Sequence, residues 1–330
     1  MPTFKSFSRN ERVFSHLETT FGTAATVTGA DANRVIKCAL GNDVNLLIRR
    51  DKTGTRTGVL GARGRVSSKW SFEASLVGSG TPGTAPPHDV FYQLIFGKAP
   101  TGAAYTLDDA ILSASIYSYR QPSTVEQRVA IGAIAQNFEF TLGQDVATFR
   151  LDGECMNTLT SATFAGADTV GKGGIVSFPA EPGSPVYVDG GLIAGFTGAI
   201  TIDGGTVVNI RQATIKGNTG NALPHDIFNR FYGGDPEGDE RQFTFSFNAY
   251  DDDEASLIAL KAAADQKTPI NATVQVGTVA GSICTFVVTG IQLASPTYND
   301  DQRAYVLTFP DSQFKGSNPT ALDELSMTWT

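Results

Sequence analysis

The chain has 330 residues, of which 41% are hydrophobic and 18% charged, with 35 glycines and 15 prolines. This composition supplies a core and excludes a disordered chain and a collagen-like repeat. The three cysteines lie more than a hundred residues apart, which excludes a disulfide framework and a cysteine-rich zinc site. No apolar run reaches the roughly 18 residues of a membrane helix, and no apolar segment follows the first basic residues. We therefore expect a soluble protein, made in a reducing compartment, that does not contact a membrane.

Charge is distributed unevenly along the chain. The net charge is −8, yet residues 1–70 hold 12 Lys and Arg against 5 Asp and Glu, and the remainder holds 13 against 28. Blocks of opposite sign favour head-to-tail stacking of copies. The alternative is a nucleic-acid-binding arm before an acidic domain, but no nucleic-acid motif accompanies the basic residues and the acidic body would repel phosphate.

Alternation of apolar and polar residues predicts short β-strands separated by Gly, Asn and Asp turns. The predicted strands are Val44–Arg50, Val66–Leu76, Ala110–Tyr119, Arg128–Phe140, Ala147–Asp152, Ala199–Ile202, Val207–Ile215, Arg241–Tyr250, Asn271–Val276, Ser282–Leu293 and Arg303–Phe309. Two short helices are predicted, from His88 to about Phe96 and from Asp252 to about Asp265. The pattern indicates a mainly-β fold, an antiparallel sandwich or barrel with short flanking α-helices.

A glycine-rich stretch from Gly166 to Gly191 divides the chain into similar halves. Each half has a strand of alternating aromatic residues, a short helix and a closing hairpin, at Asn137–Leu151 and Ile291–Phe309. We therefore predict two tandem β domains, residues 1–180 and 181–330. A second echo, Pro-His-Asp at residues 87–89 and 224–226, has a different offset and leaves the register of the duplication open.

Two glycine-rich segments resemble nucleotide-binding motifs but lack their structural context. Gly78–Gly83 matches G-x-G-x-x-G, yet the prolines at 82, 86 and 87 forbid a helix before His88. Gly166–Gly173 approaches a P-loop, but Gly173 replaces the hydroxyl residue, and Ile175–Phe178 is predicted to be a strand. Both are interpreted as loops.

Nothing in the sequence predicts catalysis, a cofactor or a metal. The three histidines lie beyond metal-ligand spacing of one another, and each Pro-His-Asp triplet is predicted to open a short helix. The acidic run at residues 251–254 lacks the alternation and glycine of a calcium loop, and is predicted to cap the second helix.

A long basic hairpin spans residues 46–66. Its 17 residues Arg49–Arg65 contain six basic groups and four glycines. A hairpin that leaves its own core gains little burial on ordering, so we predict that it orders against another copy; a flexible loop is the alternative. The candidate contact residues are Arg49, Arg50, Lys52, Arg56, Arg63 and Arg65.

Three segments resemble one known family. They are Gly64–Asp89 with its continuation to Gly97, Arg241–Ala263, and Gly290–Phe309. Their order of strand, glycine-rich loop and helix, followed by a closing hairpin with a polar turn, is similar to that of the major tail tube proteins of long-tailed bacteriophages.

The resemblance implies a virion protein, assembled in the host cytoplasm, whose inner strands join those of neighbours around a hollow lumen. A duplicated chain would form trimeric rings with pseudo-hexameric symmetry, and the basic hairpin would provide the contact between rings. Genomic DNA would pass through the lumen without specific binding. Tape measure, tail terminator and distal tail proteins would be the other partners.

Two alternatives remain open. One is the tube of a contractile injection system or gene-transfer particle. The other is a β-sandwich carbohydrate-binding, adhesin or decoration module, which would present an exposed aromatic platform. The aromatic residues instead occupy alternating strand positions, which predicts that they are core; these are Phe138, Phe140, Phe243, Phe245 and Phe247.

Overall fold

The computed structural model describes residues 8–48, 61–120, 127–143, 145–164, 171–195, 197–203, 206–207, 210–226, 232–251, 255–299 and 305–330. Within them the chain is mainly β, with large antiparallel sheets and two α-helices, so the predicted fold class is confirmed. None of the described helices is long and apolar enough to cross a membrane.

The two helices are α1 (Asp89–Phe96) and α2 (Ala255–Gln266), and short 3-10 turns occupy Ser8–Asn10 and Gly29–Asp31. The strands are β1 (Glu11–Leu17), β2 (Ala32–Asn33), β3 (Lys37–Leu47), β4 (Ala62–Ser75), β5 (Ala104–Thr106), β6 (Ala114–Arg120), β7 (Arg128–Ala133), β8 (Asn137–Leu142), β9 (Thr148–Cys155), β10 (Asn157–Thr160), β11 (Gly198–Ile202), β12 (Thr206–Val207), β13 (Ile210–Asn218), β14 (Asn221–Ala222), β15 (Glu237–Gly238), β16 (Gln242–Tyr250), β17 (Ile270–Val276), β18 (Cys284–Ile291), β19 (Thr297–Asn299), β20 (Val306–Phe314) and β21 (Leu325–Trp329).

A large antiparallel sheet organises the molecule. Its strand order is β12-β11-β17-β18-β20-β16-β13-β8-β9-β4-β3, and β19 pairs with β20 beside this path. The pairing of β8 with β13 joins strands from the two sides of the predicted boundary at residue 180, with Phe140 opposite Ile215. The division into two domains stays a prediction.

A smaller sheet, in the order β10-β7-β6-β1-β2, has its own apolar cluster that includes Phe14, Tyr117 and Tyr119. The predicted single strand Arg128–Phe140 was wrong, because the chain breaks after β7, passes from this sheet to the large one and continues as β8. Gly132 in β7 has a φ of 65°, a conformation that glycine adopts without strain.

The core lies on one face of the large sheet. The alternating aromatic residues Trp70, Phe72, Phe243, Phe245 and Phe247 are all buried, which confirms that their strands were predicted in the correct phase. In α1 every residue from Phe91 to Phe96 is buried, and Gly97 ends the helix in the left-handed conformation. In α2 the buried positions are Leu257, Leu260 and Ala264, the face predicted from their spacing.

The segment after the first half is irregular where a strand was expected. The predicted strand Ile175–Phe178 was wrong, since these residues carry no strand. The preceding glycines at 171, 173 and 174 all have positive φ and turn the chain. Phe178 instead packs edge-on against Phe164, with ring centroids 5.8 Å apart.

Candidate assembly surfaces

The uncovered side of the large sheet is polar over the stretch where β4, β9, β8, β13, β16 and β20 pair, and we call it the polar face. Strand alternation produces it, since the residues between the buried aromatic positions point the other way. Charged residues on it include Lys69, Glu73, Glu139, Arg150, Asp152, Glu154, Lys216 and Asp311. Among these eight residues, carboxylates outnumber cations by five to three.

Lys69, Arg150 and Lys216 each have a carboxylate opposite them on a neighbouring strand. Lys69 lies opposite Glu154, and Lys216 lies opposite Glu139. Arg150 lies opposite both Glu73 and Glu139. Opposite charges on neighbouring strands stabilise the pairing by about 0.2–1 kcal/mol each.

Two of these basic side chains also form ion pairs with a further carboxylate. Lys216 Nζ is 3.8 Å from Asp311 Oδ1, and Arg150 Nε is 3.9 Å from Asp152 Oδ2. The polar face therefore presents basic groups that are already partnered by carboxylates, with an excess of negative charge.

Strand β3 forms one edge of the large sheet. Within the described residues it pairs with β4 alone. Its far end is exposed on both faces, with Leu46 59% and Leu47 54% exposed. The carbonyl of Leu40, nearer the start of the strand, accepts a hydrogen bond from Arg128 Nη1 at 2.5 Å. A long edge strand with exposed apolar side chains is a surface that pairs with another chain.

The short strand β19 is a second edge. It pairs with β20, where Tyr298 lies opposite Leu307, and Tyr298 is 61% exposed. Lys261 of α2 places its Nζ 5.4 Å from the Tyr298 ring centroid and 2.8 Å from Asp251 Oδ1. The hydrogen bond to Asp251 raises the pKa of Lys261, so this cation stays charged beside the edge.

The predicted basic contact residues are distributed as follows. Arg49, Arg50, Lys52 and Arg56 lie outside the described residues, and the side chain of Arg63 does as well. Arg65 donates hydrogen bonds to the backbone carbonyls of His225 and Asp226. This side chain therefore connects the hairpin to the second half of its own chain, and its role between copies stays a prediction.

The first Pro-His-Asp triplet, at residues 87–89, has structural partners, whereas residues 166–170 of the P-loop-like segment lie outside the described residues. His88 is the N-cap residue of α1, and its Nε2 donates to the Arg34 carbonyl at 2.9 Å. The Asp89 carboxylate accepts hydrogen bonds from the Gln93 amide at 2.7 Å and from the Tyr105 hydroxyl at 2.6 Å. No helix begins in the loop Gly78–Gly83. The first α-helix after this loop is α1, which starts at Asp89, beyond the prolines, as predicted.

The three cysteines are buried, and the described acidic residues do not gather into a metal-binding cluster. Burial raises the pKa of all three cysteines, that of Cys155 to about 12, so their thiols are protonated at neutral pH. A search of the described residues finds no cluster of His, Cys, Asp and Glu that could hold a metal ion. A cleft of about 790 Å³ has ion pairs in its lining, which include Arg241 with Asp109 at 3.1 Å and Lys315 with Glu240 at 3.2 Å.

The family model described as phage tail tube protein matches residues 8–330. The chain belongs to the phage tail tube protein family. The resemblance found in the sequence is confirmed, and the match covers both halves of the chain. A comparison with curated proteins found no match.

Family membership establishes the general role of this tail tube protein. It is a structural component of the phage tail and of the virion, and it associates with itself and with other tail proteins. Sequence analysis missed the polar face. Its signal was present in the polar positions between the aromatic ones, but the order of strands that assembles them is a long-range property.

Proposed function

We propose that this tail tube protein is a non-enzymatic subunit that self-assembles into stacked rings, and that the resulting hollow tube conducts the DNA genome into the host. The polar face supports this proposal most strongly. It crosses six neighbouring strands from both halves of the chain, so one subunit supplies a broad arc of wall.

The charges of the polar face suit a channel for DNA. Duplex DNA binds to proteins mainly through Lys and Arg contacts to phosphate. Lys69, Arg150 and Lys216 each have a carboxylate opposite them, and the excess of carboxylates repels phosphate. A lumen lined by this face lets DNA pass without specific binding.

The edges of the sheet support assembly. An edge strand such as β3 exposes backbone donors and acceptors on its outer side, and pairing that side with a neighbour hides them. We expect three chains in a ring with pseudo-hexameric symmetry, since each chain contributes two similar halves. Rings stack through the basic hairpin of residues 46–66, which meets acidic surface on the next ring.

The remaining partners follow from a tube's position in the particle. Tape measure, tail terminator and distal tail proteins contact its lumen and its two ends, and assembly takes place in the host cytoplasm. A carbohydrate-binding module is less well supported, because the aromatic residues that would form its platform are buried; these are Phe138, Phe140, Phe243, Phe245 and Phe247.

Sedimentation velocity of the purified protein tests self-assembly directly. We expect species larger than a monomer whose fraction rises with protein concentration, and negative-stain images that show rings or tubes with a central channel. A compact monomer at every concentration and salt tested would refute the proposal.

A further inference from the structure

We propose that the β8–β13 pair inside the chain is the template for the contact between neighbouring subunits: β3 of one copy pairs antiparallel with the β19 edge of the next. This inference rests on the proposed ring assembly and names the partner surfaces that close the ring. The comparison of strand pairings in the two halves carries it.

The first half contains a set of four strands in the order β3-β4-β9-β8. The second half contains β13, β16, β20 and β19 in the same order, and the helix follows the second strand in both, as α1 and α2. Phe72 lies opposite Cys38 and Leu151, and Phe247 lies opposite Ala213 and Phe309. The two sets are therefore equivalent strand by strand.

The last strand of one set pairs with the first strand of the other. In the chain this is β8 with β13, where Phe140 lies opposite Ile215. The equivalent strands at the two free ends are β19 and β3, and neither has a second strand partner among the described residues. In an assembly, β3 of one copy can pair with β19 of a neighbouring copy in the way that β13 pairs with β8 inside the chain.

The exposure of Tyr298 agrees with a missing strand beside β19. Phe140 lies opposite Phe149, and Tyr298 occupies the equivalent position opposite Leu307. Phe140 is fully buried, whereas Tyr298 is 61% exposed. Phe140 is covered in part by β13, and the absence of an equivalent strand beside β19 among the described residues explains the greater exposure of Tyr298.

The template also predicts the register. Ile215 is equivalent to Leu40, because each lies opposite a buried aromatic residue of the next strand, Phe245 and Trp70. Since Phe140 is equivalent to Tyr298, Leu40 of one copy lies opposite Tyr298 of its neighbour. One residue further along, Gly41 lies opposite Thr297, and both are exposed.

Disulfide trapping tests this register. The variant carrying Gly41→Cys and Thr297→Cys places two exposed thiols on the polar side of the contact, and no heavy atom would lie within 4 Å of the new Cβ at position 41. The matched control carries Leu46→Cys and Thr297→Cys, which moves one thiol five residues, about 17 Å along the strand. Both proteins are oxidised and separated on non-reducing gels, with sedimentation run in parallel.

We expect covalent multimers from the first variant, lost on reduction, and uncrosslinked chains from the control. Assembled protein that is not crosslinked by the first variant, or is crosslinked equally by both, would overturn this inference while leaving ring formation intact. Protein that sediments as a monomer would instead refute the proposed function. A disulfide within one chain, seen as monomer of altered mobility, would overturn the inference as well.

Discussion

Glu139 of β8 lies directly opposite Lys216 of β13, in the strand pair that joins the first half of the chain to the second. On its other side Glu139 lies opposite Arg150 of β9. One carboxylate thus stands between two cations on the polar face. Its removal would leave both cations with less compensation and would make the surface more attractive to phosphate.

We predict that neutralising three carboxylates of the polar face makes the protein bind DNA. The variant carries Glu73→Gln, Glu139→Gln and Asp152→Asn, which leaves Glu154 and Asp311 as the remaining carboxylates beside Lys69, Arg150 and Lys216. Filter binding of duplex DNA should show an affinity that falls steeply as NaCl is raised, because phosphate contacts release counterions.

The matched control removes the same number of charges elsewhere. Glu237→Gln, Asp239→Asn and Asp265→Asn change exposed residues outside the polar face. This control should bind DNA as weakly as the unmodified protein. Equal DNA binding by the two variants would show that the carboxylates of the polar face do not specifically prevent DNA binding.

A glycine at the junction of the two halves is predicted to be essential. Gly217 lies opposite both Phe138 and Phe243, and a Cβ there would come 2.4–2.5 Å from their rings. Gly217→Val should lower the free energy of unfolding by about 1–3 kcal/mol or more. The control is Gly41→Val, because a Cβ at position 41 has open space around it. Its thermal unfolding temperature should change little. An equal fall in the stability of both variants would contradict the packing argument.

Burial of His88 predicts acid sensitivity. Burial lowers the pKa of this ring to about 4, against 6.5 in the unfolded chain, and its Nδ1 has no hydrogen-bond partner. Between these values the unfolded chain binds a proton that the folded chain does not, so stability falls as pH falls from 6.5 to 4, by up to about 3 kcal/mol.

Denaturant unfolding at several pH values measures this effect. His88→Gln should flatten the profile between pH 6.5 and 4, because its amide can still donate to the Arg34 carbonyl but does not titrate. An unchanged slope in His88→Gln would show that another group causes the acid sensitivity.

The central aromatic position of β16 is predicted to be intolerant of charge. Phe245 is fully buried, and Phe245→Asp places an unpaired carboxylate in the core at a cost of several kcal/mol. We expect insoluble protein or loss of a cooperative melting transition. Tyr305→Asp, at an exposed aromatic residue, should melt normally; a soluble, cooperatively melting Phe245→Asp would contradict the assignment of this face as core.

Removing charge from the basic hairpin should separate ring formation from stacking. The variant with Arg49→Ser, Arg50→Ser and Arg56→Ser leaves Arg65 in place, since Arg65 bonds carbonyls of its own chain. Sedimentation should show rings, and electron microscopy should show no long tubes. The reason is the loss of charge complementarity between the ends of successive rings.

A control for this variant removes three basic residues elsewhere, at Arg9, Lys98 and Lys315. These changes should leave tube length unaltered. Normal tubes from the hairpin variant would refute its stacking role.

Local sequence signals predicted most strands because burial on one face imposes alternation. They failed where that condition is absent: in β1 the consecutive residues Val13, Phe14 and Ser15 are all buried. They also could not place β8 beside β13, a pairing of residues about 75 positions apart such as Phe140 and Ile215. The polar face depends on that pairing, so its residues could be found only from the structure.

Cryo-electron microscopy of the assembled protein viewed down the tube axis tests the central claim most directly. Averages should show a closed ring of three chains with six similar sectors around an open channel, lined by the face that carries Glu139 and Lys216. Rings in which this face points outward, or particles whose subunits close without a channel, would contradict the account.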